Sequence, residues 1–513
     1  MIRGPSARAF LPNRAFCSQF YTSDNYNPKF KDDIRKKNQI RSDREYTFCI
    51  IGSGPAGFYT AKSLLKSENG SIKVDILDSS PHPYGLVRNG VAPDHQSMKK
   101  IQYDYDEVFK NKNCQFYGNV TVGEDIQILD LLRNYSGVIL AYGAGAERDI
   151  GIEGEHHLTS ATDIINWYNG KLDYFQEFQD SINFDMKDLR DISVIGNGNV
   201  ATDLARIFLK TKEELKDSDM PSPVMDILKE PEINSVSLVA RRGIYQSAFT
   251  TKEVRELSKL PQIKMYLFKE ELEKSRNEAS LLEATPGSSI YARAINRRTT
   301  FLEKTCIHLE NNDHYEEVLN DSSHKKLFLR YFMSPSKVLD QNSIEFNITE
   351  LEGEAEKQRC VVKSPEERVT LKSDLWLKSV GYKTIPMPGV PYDADTFTVP
   401  NEMGCVLSDN GEIIKGLYVC GWAKRGPVGI IDATLRDSFE TYRVIKNHID
   451  QDLLDSRIDS TKKTLYNLEK SFVTYRDWAK VMYYEDERGK KIGKPREKYL
   501  WTEDYENIIG KAL

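Results

Sequence analysis

The chain has 513 residues, 71 Lys and Arg against 77 Asp and Glu, and a net charge of −6. That length exceeds one compact domain and predicts two or three. The mild negative charge excludes a chain-wide nucleic-acid binder, so an acidic partner needs a local basic patch. No apolar run reaches the roughly 18 residues of a membrane span.

Residues 1–23 carry Arg3, Arg8 and Arg14, several Ser and Thr, and no Asp or Glu. A basic, acid-free start without a long apolar core resembles an organelle transit peptide. Residues 1–42 are therefore set outside the fold. The seven cysteines form no CxxC pair. This argues against a redox dithiol, a zinc ribbon or an iron–sulfur cluster held by this chain, and no metal site is expected.

The first predicted element is a buried strand from Tyr46 to Ile51 that runs into Gly52-Ser53-Gly54-Pro55-Ala56-Gly57. A helix follows from Ala56 to Lys66, then a strand from Lys73 to Asp78. Strand, GxGxxG, helix, strand and terminal acid together make the dinucleotide fingerprint. Gly52 permits the tight turn, Gly54 lets a pyrophosphate approach the backbone, and Gly57 lets helix pack on strand. Asp78 can accept from ribose hydroxyls, and the helix start offers free amides to phosphate. Residues 137–144 read as a further buried strand closing this half.

A second fingerprint follows the apolar run Ile192 to Ile195: Gly196-Asn197-Gly198-Asn199-Val200-Ala201. Its helix is predicted over Asn199 to Lys210, and the next strand is Val236 to Ala240. That strand ends in Arg241-Arg242 where an acid would favour a free 2′-hydroxyl. Two guanidinium forks suit a 2′-phosphate, so this half is expected to take NADPH in preference to NADH. Two dinucleotides on one chain suggest hydride passage between them.

Residues 270–325 look polar and irregular, and 352–372 highly charged, both as surface excursions or short hairpins inside the second domain. Buried strands return at 375–382 and 416–422. A Gly/Pro turn then leads through Gly429-Ile430-Ile431 into a helix from about Asp432 to Ile449. The fold class expected is α/β, with two Rossmann-like dinucleotide-binding domains, the NADP domain inserted into the FAD domain. The boundaries are 43–147 and 379–513 for the FAD domain and 148–378 for the NADP domain.

The segment from Pro83 to His95 (PYGLVRNGVAPDH), with Gly196 to Ala201, Ala240-Arg241-Arg242-Gly243, Gly421 to Pro427 and Gly493 to Lys498, resembles the adrenodoxin reductase family, the mitochondrial-type ferredoxin–NADP reductases. The resemblance spans nearly everything from about residue 45 onward. It implies noncovalent FAD, reduced by NADPH, passing single electrons to a 2Fe–2S ferredoxin. It implies FAD contacts at Ala56, Asp78, Leu86, Val122, Trp422, Gly429, Ile430 and Ile431, beside the turn glycines Gly52, Gly54 and Gly57. It implies NADP contacts at Gly196, Asn197, Gly198, Asn199, Arg241, Arg242, Glu253 and Gly429. Two departures stand out: Asp78 where the family usually has Glu, and Asn197 for a common Gln.

Hydride transfer needs alignment, not a protein nucleophile, and Gly429 is small enough for close approach of the two rings. Asp94 and His95 are candidate polar residues near the flavin. Ferredoxins of this kind are acidic, so docking is expected on Arg293, Arg297 and Arg298, with Lys424, Arg425 and Arg255 as further candidates. The chain is expected to be mitochondrial, in the matrix or on the matrix side of the inner membrane. It is read as a monomer with at most peripheral membrane association. Competing readings are an NADPH-dependent flavoenzyme acting on a quinone or disulfide, and an idle nucleotide-binding scaffold.

Overall fold

The computed structural model describes residues 45–66, 71–182, 184–429, 431–456 and 470–513. The expected targeting segment and Ile430 lie outside the described residues. Strand β1 (Glu45–Ile51) leads through the first glycine turn into helix α1 (Pro55–Leu65) and strand β2 (Ser71–Asp78). Strands β3 (Cys114–Gly118) and β4 (Gly137–Leu140) complete the first half. Along β1, Tyr46, Phe48 and Ile50 enter one apolar cluster while Cys49 and Ile51 enter another. Side chains alternate across a strand, so both faces are covered, as the continuous apolar run requires of a buried parallel strand.

The chain then builds a separate seven-stranded sheet from β5 (Thr159–Ser160), β6 (Asp191–Ile195), β7 (Ser235–Val239), β8 (Ile263–Phe268), β9 (Ile307–Leu309), β10 (Lys325–Arg330) and β11 (Leu375–Lys378). Its order is β9-β8-β10-β7-β6-β11-β5, and every pair is parallel. Helix α2 (Asn199–Leu209) follows the second glycine turn, α3 (Thr251–Leu257) follows β7, and α4 (Ala292–Thr305) precedes β9.

Strands β12 (Asn401–Glu402), β13 (Cys405–Leu407) and β14 (Ile413–Val419) then rejoin the first sheet, whose order is β12-β13-β14-β4-β1-β2-β3. β14 lies parallel to β4. The second sheet is therefore formed entirely between two strands of the first. Helix α5 (Ile431–Asp450) packs on α1, and α6 (Tyr475–Lys491) covers the β3 side of the same sheet. The outgoing and returning crossings pair as a short antiparallel ribbon, Tyr382 against Glu147 and Lys383 against Ala146.

Residues 270–325 are not irregular. They contain α4, two shorter helices (Glu278–Glu283 and Asn312–Asn320) and β9. Their polarity hid a thin stripe: on α4 it runs through Ala292, Ile295, Thr299 and Leu302, with charged residues on the remaining surface. The charged region near 352–372 is an antiparallel excursion. Met333–Asp340, Ser343–Ile348 and Arg368–Lys372 form one small sheet, and Glu350–Glu352 pairs with Arg359–Val361.

Candidate dinucleotide and electron-transfer site

The carboxyl ends of β1, β4 and β14 meet at one edge of the first sheet, where open parallel sheets place their ligands. Gly52 has φ +107°, and a Cβ on it would fall 2.5 Å from the Ala141 carbonyl oxygen. A Cβ on Gly57 would fall 2.1 Å from the Gly52 carbonyl oxygen, so these two glycines are obligatory for the turn. Gly54 differs: a Cβ there meets nothing within 4 Å. The amides of Ala56 and Gly57 at the start of α1 have no acceptor among the described residues. An open position above free helix-start amides fits a pyrophosphate.

Asp78 is held at the end of β2 by the Ser53 amide (2.7 Å), the Ser53 hydroxyl (2.6 Å) and the Ser80 amide (2.9 Å). Burial raises its pKa, and these three donors work against that rise. A carboxylate has about four acceptor positions, so Asp78 orders the glycine turn and still has acceptor capacity for a ribose. Sequence reasoning assigned it only the second task. Leu86 is partly exposed at the start of the short helix Leu86–Asn89, and Val122 is buried. Gly421 (φ +73°) lies against Ala56: a Cβ on it would sit 2.6 Å from the Ala56 Cβ. Asp437 on α5 accepts from the Gly421 amide and pairs with Lys424, which fixes this turn. Trp422 stacks on Tyr382 with ring centroids 5.8 Å apart. Gly429 has φ +89°, and Ile431 opens the 20-residue helix α5.

The second turn repeats the geometry. Gly196 has φ +131° and would place a Cβ 2.1 Å from the Ser379 carbonyl oxygen; Gly198 again faces open space. Ala201, which replaces the third glycine, is fully buried. The Asn197 carbonyl accepts from the Phe249 amide, and the Asn199 side chain accepts from the Thr250 amide. Arg241 and Arg242 follow β7, both exposed. Among the described residues no carboxylate lies within ion-pair distance of either. Burial and the neighbouring Arg241 lower the Arg242 pKa. Both guanidinium groups therefore keep their fork of donors free of ion-pair partners among the described residues.

Asp94 and His95 are joined to the second unit. Asp94 accepts from Arg206 Nε (2.8 Å) and Nη2 (3.0 Å) and from Lys210 Nζ (2.8 Å). Burial would raise the Asp94 carboxyl, but these cations hold it well below the usual carboxylate range. His95 Nε2 bonds Glu256 at 2.8 Å and lies 3.9 Å from Glu253. Arg206 Nη1 also reaches Asp203 at 2.7 Å and Glu253 at 3.6 Å. Glu253 is 8% exposed, and its Oε2 has no hydrogen-bond donor. Burial and the neighbouring Asp203 raise its pKa. Sequence reasoning saw Asp94, His95 and Glu253 separately and missed Asp203, Arg206, Lys210 and Glu256. These lie at 3- and 4-residue spacing on α2 and α3, which face each other only in the fold.

The expected docking set is divided. Arg293 and Arg297 are exposed and line an open groove of about 400 Å³ with Phe301 and Lys304. Arg298 must be withdrawn: it is buried and donates to the backbone carbonyls of Tyr245 (2.7 Å) and Phe249 (3.5 Å). Helix periodicity turns 298 inward when 293 and 297 face out. Lys424 is withdrawn too, held by Asp437 and Glu440 with its side chain 7% exposed. Arg425 donates to Thr434 and to the Val428 carbonyl.

The two glycine turns, one below an acid-terminated strand and one beside an arginine pair, define an oxidoreductase with two dinucleotide sites. The pyridine nucleotide-disulphide oxidoreductase family model matches residues 46–264. The chain is 35% identical to Arabidopsis thaliana NADPH:adrenodoxin oxidoreductase, mitochondrial, over 90% of this chain and 95% of that protein. It is 35% identical to the Homo sapiens protein of the same name, over 90% and 91% respectively. Among solved structures it is similar to Mycobacterium tuberculosis FprA in complex with NADPH, with a TM-score of 0.77 and 30% identity over 91% of this chain and all of that one. The chain belongs to the NADPH:adrenodoxin oxidoreductase family.

Proposed function

We propose that this protein carries electrons from NADPH through FAD to a 2Fe–2S ferredoxin of the adrenodoxin type, in the mitochondrial matrix or on the matrix side of the inner membrane. The enzyme is an FAD-dependent oxidoreductase, and its cofactors are FAD and NADPH. Bound at the first glycine turn, FAD would supply the conversion between a two-electron hydride donor and the single electrons a 2Fe–2S acceptor takes. The observation that carries the assignment is the contrast between the two strand ends, Asp78 after β2 and the unpaired Arg241-Arg242 after β7.

On this reading the first glycine turn holds FAD. Gly54 admits its pyrophosphate, the Ala56 and Gly57 amides bind it, and Asp78 orients the ribose. The Gly196–Asn199 turn holds NADPH in the same manner, with Arg241 and Arg242 on its 2′-phosphate. Glu253, raised in pKa and without a donor, is placed to accept from a neutral amide. Gly429 leaves room where the two rings meet. The N-terminal end of α5 favours negative charge beside it. Asp94 and His95 hold the two nucleotide units in register through α2 and α3, which is a positioning role rather than proton transfer.

Delivery of electrons to a disulfide is disfavoured, since the described cysteines are all free and only Cys360 among them is not buried. The groove carrying Arg293, Arg297 and Lys304 is the proposed ferredoxin face, matching an acidic partner. Among the described residues no helix is long and apolar enough to cross a membrane, and at most a peripheral membrane association is proposed. The relatives are named mitochondrial, and the basic, acid-free first 23 residues agree with import. The working unit is proposed to be a monomer.

The test is an anaerobic titration of the flavin band with NADPH and with NADH, followed by addition of a 2Fe–2S ferredoxin and cytochrome c. Preferential bleaching by NADPH and ferredoxin-dependent cytochrome reduction are expected. Bleaching with no dependence on ferredoxin would remove the proposed acceptor.

A further inference from the structure

The charged excursion after β10 has an unexpected attachment. It grips the backbone of the arginine pair. Three consecutive carbonyls are taken in turn: Ala240 by the Met333 amide (3.0 Å), Arg241 by two side chains, and Arg242 by the Phe332 amide (3.4 Å). The two side chains on the Arg241 carbonyl are the Thr349 hydroxyl at 2.7 Å and the Cys360 thiol at 3.1 Å. Thr349 is fully buried, and its amide donates to the Phe332 carbonyl at 2.9 Å. The tip of the Glu350–Glu352/Arg359–Val361 hairpin is tied down as well. Gln358 donates to Ser280 (3.0 Å) and Glu283 (2.9 Å), and the Glu356 amide donates to Glu283 (2.9 Å).

A carbonyl held by two donors from a packed hairpin fixes the peptide plane between Arg241 and Arg242. That plane sets the directions in which both side chains leave the backbone. Among the described residues neither guanidinium has a hydrogen-bond or ion-pair partner, and Glu283 acts on Arg242 only as a nearby charge, so the backbone is their main guide. Arginine recognises a phosphate by a planar fork, and a fork aimed wrongly loses bonds without losing charge.

We infer that Thr349, assisted by Cys360, is a positioning residue for 2′-phosphate recognition, and that the 332–361 excursion serves to hold the arginine pair in its phosphate-reading geometry. The inference rests on the assignment of Arg241 and Arg242 to the 2′-phosphate of NADPH. It makes the coenzyme preference depend on a segment outside both glycine turns and outside the strand that carries the arginine pair.

The experiment uses the FAD-loaded full chain with ferricyanide as acceptor. It compares kcat/KM for NADPH with that for NADH, and the Kd of adenosine 2′,5′-bisphosphate. Thr349→Val keeps the shape and removes the hydroxyl. Loss of one buried hydrogen bond corresponds to roughly five- to tenfold. The expected result is a fall of that size in the NADPH/NADH preference and in bisphosphate affinity, with NADH kinetics and kcat unchanged. Thr349→Ser, which keeps the donor, should restore both. Cys360→Ala, at a less buried position, should show the same selective effect at about two- to threefold, and it carries the test if Thr349→Val fails to fold. Parallel losses for both coenzymes, or no change, would overturn the inference. Arg241→Ala with Arg242→Ala separates the two claims. If that double variant keeps its NADPH preference, the phosphate assignment is wrong. If it loses the preference while Thr349→Val keeps it, only the positioning role is wrong.

Discussion

Asp94 and Arg206, 112 positions apart, are joined by two hydrogen bonds of 2.8 and 3.0 Å across the gap between the two nucleotide-binding units. Both side chains are nearly inaccessible, at 6% and 2% exposure. Removing one partner of a buried pair typically costs about 3–5 kcal/mol when the other charge is left uncompensated; Asp203, 2.7 Å from Arg206 Nη1, offsets part of that here. Asp94→Ala should therefore lower Tm markedly. Because the pair aligns the units rather than touching the first glycine turn, purified protein should keep its flavin while NADPH-driven bleaching slows. Loss of flavin with an unchanged bleaching rate in the loaded fraction would mean that Asp94 serves the flavin directly.

One open and one crowded glycine give a cleaner separation of stability from binding. Gly198 has φ −88°, and a Cβ there meets nothing within 4 Å. Gly198→Ala should leave Tm and flavin content intact and raise KM for NADPH about tenfold or more, since the methyl enters the space proposed for the pyrophosphate. Gly57→Ala should fail to load flavin, because its Cβ would fall 2.1 Å from the Gly52 carbonyl oxygen. Equal behaviour of the two variants would show that Gly198 is not a phosphate position.

The far end of α2 carries a pH signature. Lys229 Nζ donates to the Ile207 and Phe208 carbonyls. Burial, with help from Lys325, pulls its pKa down to about 7. An unfolded lysine holds its proton to about 10.4. Between these values the unfolded chain binds the extra proton, so this group makes stability rise with pH from about 7 to about 10, and its penalty is complete below 7. Urea midpoints of the parent and Lys229→Met, taken from pH 6 to 10, should diverge in the parent's favour as pH rises. Parallel curves would mean that Lys229 keeps its proton in the folded state.

The glycine turns were readable because the chemistry of each is local: tight turn, close approach and terminal acid or base fall within about 45 residues. Strand limits were also close, Glu45–Ile51 where Tyr46 to Ile51 was expected. What sequence could not show depends on elements meeting across distance. Nothing near Asp94 announces Arg206, and although the charged stretch near Glu350 reads as an excursion or short hairpin, nothing in it announces closure on Arg241. Arg298 was misjudged for a related reason. Three arginines close together look equivalent in sequence, but a helix turns about 100° per residue, so one of them faces the core.

That division on α4 gives a test of the acceptor face. Arg293 and Arg297 are exposed beside Lys304, Phe301 and the groove, whereas Arg298 caps the Tyr245 and Phe249 carbonyls from inside. Reversing both outer charges, Arg293→Glu with Arg297→Glu, should lower the ferredoxin association rate by an order of magnitude or more at low salt. The deficit should shrink as ionic strength rises, because docking charges act mainly on encounter. Ferricyanide reduction and Tm should not change. Arg298→Glu should do the opposite, unfolding the region around Tyr245 and reducing every activity together. Stopped-flow mixing with ferredoxin at several salt concentrations reads the first effect, and thermal melts read the second. A salt-independent deficit in the double variant, or a parallel loss of ferricyanide activity, would place the partner on another face.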